Sequence, residues 1–130
     1  MSTSPIELEP IEVVVRSRTL ERNGFYERAP WGAQLTRTQI EAFEPILISS
    51  LFRSRFRAGV SVRQGADGAP IVMGRRGCQL RVYLDDFLME EWDFDSIPPE
   101  WLEGMEVYQG MLVPPRYYPD CGVLLLWTGN

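Results

Sequence analysis

The sequence predicts an α+β domain in which short helices accompany a small mixed β-sheet. Three observations point to this class. Apolar runs of strand length alternate with short amphipathic segments along the 130 residues. Hydrophobic residues make up 45% and charged residues 24% of the chain, which is ordinary for one domain with a single core. The longest apolar run, residues 123–127, is much shorter than the roughly 20 residues that a membrane-crossing helix needs.

The first ten residues, MSTSPIELEP, are expected to form an extended N-terminal arm, and residues 11–130 the domain itself. The arm has neither the basic region nor the apolar region of a signal peptide. Met1 therefore either begins an unexported protein or stands where a leader or an upstream domain has been removed. Residues 11–15, IEVVV, are β-branched and predict the first strand.

Two short helices are predicted after an irregular, charged segment at residues 16–30. Pro45 ends the first helix and can open the second. Two pairs fit the spacing of a capping box at the start of the first helix: Thr36 with Gln39, and Thr38 with Glu41. The second helix has apolar side chains at helical spacing: Ile48, Leu51 and Phe52.

Three further strands follow these helices. Val60 and Val62 alternate with polar residues, the chain turns at Asp67-Gly68, and residues 71–73 resume as a strand, which predicts a hairpin. The segment CQLRVYLDD then predicts a strand that places three apolar side chains on one face: Leu80, Val82 and Leu84. The last segment, CGVLLLWT, is apolar throughout, so we expect a strand that is buried on both faces.

The stretch DFDSIPPEWLEGMEVYQG, residues 93–110, predicts a short helix followed by a strand. Paired prolines open the helix, Ser96 is placed to cap it, and Gly104 closes it before the strand MEVYQG. We expect Trp101 and Leu102 to face the sheet. Truncation of a buried tryptophan should then lower the free energy of unfolding by about 3–5 kcal/mol.

No combination of residues indicates catalysis. The chain has no histidine, which is the commonest general base and metal ligand. Ser49 and Ser50 have no neighbouring base, and the glycines do not form a phosphate-binding loop. The acids between positions 85 and 95 do not match a calcium-binding loop. The sequence predicts a protein that is not an enzyme and needs no cofactor; the alternative is a small hydrolase that uses Asp93 and Asp95.

The charges are segregated along the chain. The net charge of −5 argues against nucleic acid as the main partner, and all 13 basic residues are arginine. Residues 53–81 contain seven arginines and one acid, whereas residues 82–115 contain nine acids and no base. Either the two segments lie side by side and neutralise each other, or they form two faces that bind different partners.

The two cysteines, Cys78 and Cys121, lie 43 positions apart. This separation excludes a CxxC redox or zinc motif. A structural disulfide and two free buried thiols both remain open, and a disulfide would indicate an oxidising compartment.

The segments LRVYLDD, DFDSIPPEWLEGMEVYQG and CGVLLLWT resemble, in this order, the plug domain of TonB-dependent outer-membrane receptors. In such plugs a strand ends in VDG, a helix-and-strand segment of the form IPPEDIESIEVLKG follows, and GVIxIxT closes the sheet. Upstream, LTRTQIEAF and FRSRFRAGVSV are similar to a plug helix and to the plug segment LLRRIPGVSV. The resemblance covers residues 9–128 and implies a plug-like fold.

The chain also departs from the plug pattern. Asp86 replaces the turn glycine, and MLVPPRYYPDCG replaces a loop that is richer in glycine and serine. A receptor barrel would need more than ~200 residues in its strands alone, which these 130 residues cannot supply. Stand-alone plug-like domains also follow carboxypeptidase-regulatory-like domains, and this cysteine-bearing sequence is closer to those.

The resemblance implies a disulfide between Cys78 and Cys121, because both cysteines flank strands that neighbour each other in the plug fold. It also implies a non-catalytic protein-interaction or structural module. We expect a membrane-extrinsic subunit or adaptor, periplasmic or peripheral to a membrane, that stabilises a larger membrane protein complex. The alternative is the plug fragment of a TonB-dependent transport receptor, which would contact TonB near residues 11–15 and bind a ligand in its loops.

The expected partner-binding residues lie in the arm and in two loops, since loops on a rigid scaffold are free to bind. These loops also carry the aromatic residues and the arginine that dominate protein interfaces. The expected set is Ile6, Leu8, Phe25, Tyr26, Trp31, Arg116, Tyr117 and Tyr118. The alternative for the aromatic residues is that they pack against the core of their own domain.

Overall fold

The computed structural model describes residues 16–53, 56, 58–117 and 121–129. The N-terminal arm, with Ile6 and Leu8, and the strand expected at residues 11–15 lie outside the described residues, as does Tyr118. A five-stranded mixed sheet has the order β1-β6-β7-β4-β5, and a separate hairpin is formed by β2 and β3. The strands are β1 Ala33–Thr36, β2 Ser61–Gln64, β3 Pro70–Met73, β4 Arg81–Leu84, β5 Phe87–Met89, β6 Leu102–Gln109 and β7 Gly122–Thr128.

The predicted α+β class with a small mixed sheet is confirmed. The long strands β6 and β7 pair antiparallel at the centre of the main sheet. β7 pairs with β4 in parallel, which makes the sheet mixed. β1 and β5 each pair with one neighbour and form the two edges. All seven residues of β7 are buried, as the apolar run predicts.

The helices are short. Within the described ranges the two α-helices are α1 Arg18–Arg22 and α2 Arg37–Phe43. α2 begins with the predicted capping box of Thr36 and Gln39 and ends at Glu44, which has a positive φ of 49°. The other helical segments are 3₁₀ turns: Tyr26–Trp31, Ile48–Arg53, Phe94–Ser96, Pro99–Trp101 and Gly110–Leu112. None of the helices in the described part of the chain is long and apolar enough to cross a membrane.

The first face of the main sheet carries the larger hydrophobic core. There β6 contributes Met105 and Val107, and β7 contributes Leu124 and Leu126. α2, the turn Ile48–Arg53 and the β2–β3 hairpin supply the covering side chains: Ile40, Ile48, Leu51, Phe52 and Val72. This layer follows from the apolar periodicity of the sequence.

The second face is covered by the segment from α1 to Trp31 and by residues 113–117. Leu20 and Phe25 pack there with Val123 and Leu125 of β7. Gly32 permits this close approach, because a Cβ at that position would lie 2.4 Å from Cδ1 of Tyr108. Both faces of the two central strands are therefore closed by the chain itself.

The orientation expected for Trp101 is wrong. Its side chain is 61% exposed, whereas Leu102 is fully buried, as expected. The helix ends at Trp101 and β6 already begins at Leu102, so the alternation of the strand decides which neighbour points inward.

Two further expectations for this stretch are also corrected. Gly104 does not close the helix but lies within β6, next to a register shift, and leaves room for Leu20. Ser96 does not cap the helix that the prolines open. Asp93 instead caps the preceding turn, where its carboxylate accepts a hydrogen bond from the backbone N–H of Asp95.

Candidate functional site

The disulfide between Cys78 and Cys121 is present. Their Cα atoms are 5.9 Å apart, a separation that suits a disulfide. The bridge joins the turn before β4 to the residue that precedes β7. It also lies beside the end of β6, since the backbone N–H of Gly110 donates to the carbonyl of Cys121 at 3.1 Å.

The aromatic loop before β1 is largely part of the core. The ring of Phe25 is buried and packs edge-on against Tyr26, with 5.1 Å between the ring centroids. The hydroxyl of Tyr26 accepts a hydrogen bond from the backbone N–H of Ser17 at 2.8 Å. The expectation that Phe25 binds a partner is therefore corrected, because its side chain fills the second face. Trp31 differs, since it is exposed.

Arg116 and Tyr117 also make contacts within the domain. Tyr117 is buried, its ring lies 4.9 Å from that of Tyr83, and its hydroxyl donates to the Asp86 carboxylate at 2.7 Å. Arg116 forms an ion pair with the same carboxylate. Burial raises the pKa of Tyr117. Tyr117 thus holds its loop over the second face and is not available to a partner, whereas Arg116 stays about half exposed.

A buried carboxylate lies at the centre of the second face. Glu106 of β6 is fully buried, and Arg28 donates to both of its oxygens, at 2.9 Å and 2.7 Å. Trp127 Nε1 donates to it at 2.6 Å and Gln34 Nε2 at 3.2 Å, and the hydroxyl of Tyr108 also donates to it. Four elements therefore meet at this carboxylate: the turn Tyr26–Trp31, β1, β6 and β7.

The electrostatics of this cluster favour a structural role. Burial opposes the charge on Arg28, but the hydrogen bonds and the negative charge of Glu106 outweigh it and raise the pKa of Arg28. Burial, together with the charge of Glu106, raises the pKa of Tyr108. Both groups keep their protons at neutral pH, and the carboxylate already has donors on both oxygens. The cluster is built to hold the segment before β1 against the sheet.

The other acids that bear on the hydrolase alternative are also engaged structurally. Asp95 accepts hydrogen bonds from the backbone N–H of Ser49 at 2.8 Å and from its hydroxyl at 2.6 Å. Asp85 accepts in the same way from Thr128, at 2.8 Å and 2.7 Å. Among the described residues, no group of three or more potential ligands is placed to hold a metal ion. These carboxylates tie loops to the core.

A cleft of about 780 Å³ opens between the β2–β3 hairpin and the segment that follows β5. Its size lies within the range of small-molecule sites. Polar and apolar groups contribute about equally to the wall, and its large apolar side chains are Ile71, Val72, Leu80, Val82, Leu88, Met89, Trp92 and Phe94. The charged side chains of the lining are Asp67, Arg81, Glu90 and Glu91, so acids outnumber bases by three to one.

The sequence did not identify the residues of either feature. The one local signal for Glu106, which was not used, is its position as an acid inside the apolar strand MEVY, where a buried charge needs a partner. Arg28, its partner, lies 78 positions away. The cleft was missed because β5, which carries Leu88 and precedes Trp92, was not predicted.

No protein-family model matches the sequence, and no curated protein matches it. The fold is similar to parts of several solved receptors. A variant of the ferric enterobactin receptor PfeA from Pseudomonas aeruginosa matches over 88% of this chain, with a TM-score of 0.62 and 18% identity. The siderophore receptor PirA from Acinetobacter baumannii matches over 74% of it, with a TM-score of 0.55 and 17% identity.

These matches concern one part of each receptor. The chain spans 19% of the PfeA variant and 17% of PirA. The resemblance predicted from the sequence is confirmed at the level of the fold, which is TonB-receptor plug-like. The matched proteins are receptors and not enzymes.

Proposed function

We propose that this domain is a non-catalytic plug module of a TonB-dependent type of transport system at the outer membrane. The observation that carries the proposal is the receptor-like fold over 88% of the chain, with a TM-score of 0.62. In this reading the cleft beside the hairpin recognises the ligand, because it is the place where apolar and charged side chains converge on an open volume.

The charges that line the cleft restrict the class of ligand that it can bind. PfeA is a ferric enterobactin receptor and PirA a siderophore receptor, which makes iron–chelator complexes the first class to test. Three carboxylates and one guanidinium line this cleft, so a strongly anionic complex is disfavoured by Coulomb repulsion. A neutral complex, such as a ferric trihydroxamate, suits the apolar side chains of the wall without that penalty.

Titration of the purified chain with ferric probes tests this reading, with quenching of tryptophan fluorescence as the signal. We expect saturable binding of a neutral ferric trihydroxamate and at least tenfold weaker binding of an anionic ferric tris-catecholate. Leu88→Glu should weaken binding, because Leu88 lines the cleft. Phe87→Glu is the matched control, since Phe87 is the adjacent residue of the same strand and does not line the cleft.

Cross-linking in cells tests whether the module associates with an outer-membrane receptor barrel. The proposal requires that the tagged chain captures an outer-membrane receptor barrel, or is part of one, when the outer-membrane fraction is isolated and digested for mass spectrometry. Absence of a barrel from the cross-linked material, together with no binding of either ferric probe, would overturn the proposal.

A second candidate is the membrane-extrinsic subunit or adaptor that stabilises a larger complex. One observation favours it: both faces of the central strands are covered by the chain's own residues, so the core needs no barrel wall to complete it. The same cross-linking distinguishes the two readings, because an adaptor would capture subunits of a membrane complex without a receptor barrel.

A further inference from the structure

The turn Gly110–Leu112 projects apolar side chains into solvent. Met111 is fully exposed, and Leu112 is half exposed. Gly110 has a positive φ of 60°, and its backbone N–H is tied to Cys121 beside the disulfide, so the turn is fixed at its base. Packing of the core does not explain why this fixed turn exposes two large apolar side chains.

Trp31 lies at the same end of the main sheet. Ala33 pairs with Val107, and extension of this register places Trp31 level with the last residues of β6, just before the turn. Its side chain is 54% exposed. We call Trp31, Met111 and Leu112 the apolar tip. Tryptophan is enriched at membrane interfaces, where its ring is buried while its N–H stays hydrated.

Two arginines flank the apolar tip. The backbone N–H of Arg75 donates to Gln109 Oε1 at 2.9 Å, which fixes the turn that carries Arg75 and Arg76 next to the base of the apolar tip. Both side chains belong to exposed residues and neither forms a salt bridge with another described residue. The mutual neutralisation of residues 53–81 and 82–115 that the sequence allowed therefore does not include an ion pair of these two arginines with a described residue.

The opposite end of the sheet carries acids of its own. It is defined by the end of β4 and the start of β6, and it carries Asp85, Asp86 and Glu100. The chain has a net charge of −5, so attraction to an anionic surface has to be local, and Arg75 and Arg76 supply it beside the apolar tip.

We propose that the apolar tip, with Arg75 and Arg76, docks the domain onto an anionic lipid bilayer. Trp31, Met111 and Leu112 enter the boundary between headgroups and acyl chains, and the two arginines bind lipid phosphates. A bilayer fits better than a protein partner, because a short convex turn offers no groove and only a small contact area. The end of the sheet with Asp85, Asp86 and Glu100 then points away from the membrane.

Sedimentation of the full chain with vesicles tests the proposal. We expect binding to vesicles that contain phosphatidylglycerol, weaker binding to pure phosphatidylcholine, and release at high salt. The double variant Met111→Asp/Leu112→Asp should lose at least tenfold in affinity. Arg75→Gln and Arg76→Gln should each cost about fivefold on anionic vesicles and little on neutral ones.

Matched controls lie at the opposite end of the sheet. Phe87→Asp removes an exposed apolar side chain from the start of β5, and Arg18→Gln/Arg22→Gln removes two exposed arginines from α1. These variants should bind vesicles as the unaltered chain does, and circular dichroism should show all variants folded.

The proposal would be overturned if the chain did not bind vesicles at millimolar phosphatidylglycerol. It would also be overturned if Phe87→Asp lost as much affinity as Met111→Asp/Leu112→Asp, or if the latter variant bound as tightly as the unaltered chain. A protein that cross-links to the apolar tip while vesicles do not bind would also overturn it and identify a protein surface instead. The test does not depend on the cleft, so it is independent of the proposed transport function.

Discussion

The two faces of the main sheet are closed in different ways. The first face is packed almost entirely by aliphatic and aromatic side chains from helical turns and the hairpin. The second face has a smaller apolar cluster and, at its centre, the buried carboxylate of Glu106 with its ion pair to Arg28. The first face is thus stabilised by burial of apolar area. The second is stabilised by a polar network in which the loss of any one partner leaves a buried polar group unsatisfied.

The two faces differ in how precisely they fix the position of the elements that cover them. Apolar side chains of similar size can replace one another at modest cost, so the first face specifies its covering elements loosely. The buried carboxylate requires a cation at one place, which fixes how the segment before β1 lies on the sheet.

Arg28→Ala should have the largest effect. It leaves a fully buried carboxylate without its cation, which should cost about 3–5 kcal/mol of unfolding free energy, measured by urea denaturation. Arg16→Ala is the control, because the Arg16–Glu21 pair is long, at 3.7 Å, and about half exposed on both sides. That variant should lose about 0–1 kcal/mol. Equal losses in the two variants would refute the special role of the buried pair.

Removal of the disulfide should be nearly as costly. The bridge spans 43 positions, for which the chain-entropy model gives about 4 kcal/mol. Cys78→Ser/Cys121→Ser should therefore lower the urea midpoint strongly, and reduction of the unaltered chain should do the same. If neither change moves the midpoint, the bridge does not restrain the loop that covers the second face.

On the first face, Ile48→Ala should cost about 2–5 kcal/mol, because Ile48 is completely buried in the core. Ile46→Ala is the matched control on the same connection, since Ile46 is 86% exposed. The control should change stability by less than about 0.5 kcal/mol. Comparable losses at both positions would show that the turn Ile48–Arg53 is not packed as described.

High pH should loosen the second face. The pKa values of Tyr108 and Tyr117 are raised above their ordinary value of 10.0, chiefly by burial. Above about pH 10 the unfolded chain releases protons that the folded chain retains, so the free energy of unfolding falls as pH rises. Stability should be constant below that pH and decline above it.

The composition makes this alkaline experiment unusually simple. The chain has no lysine, so tyrosines are the main groups that titrate between pH 9 and 12. Urea denaturation at pH 8, 10 and 11 should show the decline, and Tyr117→Phe should reduce its slope. A flat profile up to pH 11 in the unaltered chain would contradict the burial of these phenols.

Trp101→Ala should have the smallest effect, below about 1 kcal/mol, since most of the Trp101 side chain is in solvent. Leu102→Ala at the neighbouring, buried position should cost about 2–5 kcal/mol. A reversal of this order would mean that β6 is shifted by one residue, which would move its whole set of side chains to the other face.

Much of the first face could be predicted from the sequence. The alternation of Leu80, Val82 and Leu84 and the apolar run of β7 are local signals, and the structure follows them. The capping box of Thr36 and Gln39 is equally local. β1 and β5 were missed because neither alternates between buried and exposed residues: β1 buries only Leu35, and β5 buries none of its residues.

The second face could not be predicted in the same way. Its central pair joins residues 78 positions apart, and no local pattern connects them. The orientation of Trp101 depended on one residue at a helix-to-strand boundary, where sequence signals are weakest. The cleft arises from the relative positions of the hairpin and the end of β5, which only the folded chain defines.

A double-mutant cycle on Arg28 and Glu106 tests the account of the second face most directly. Unfolding free energies are measured for Arg28→Met, Glu106→Leu and the double variant. We predict that the double variant is more stable than Arg28→Met alone, with a coupling energy of at least about 2 kcal/mol, since the apolar pair leaves no unpaired buried charge. Additive losses, with a coupling energy within about 0.5 kcal/mol of zero, would contradict the claim that this ion pair closes the second face.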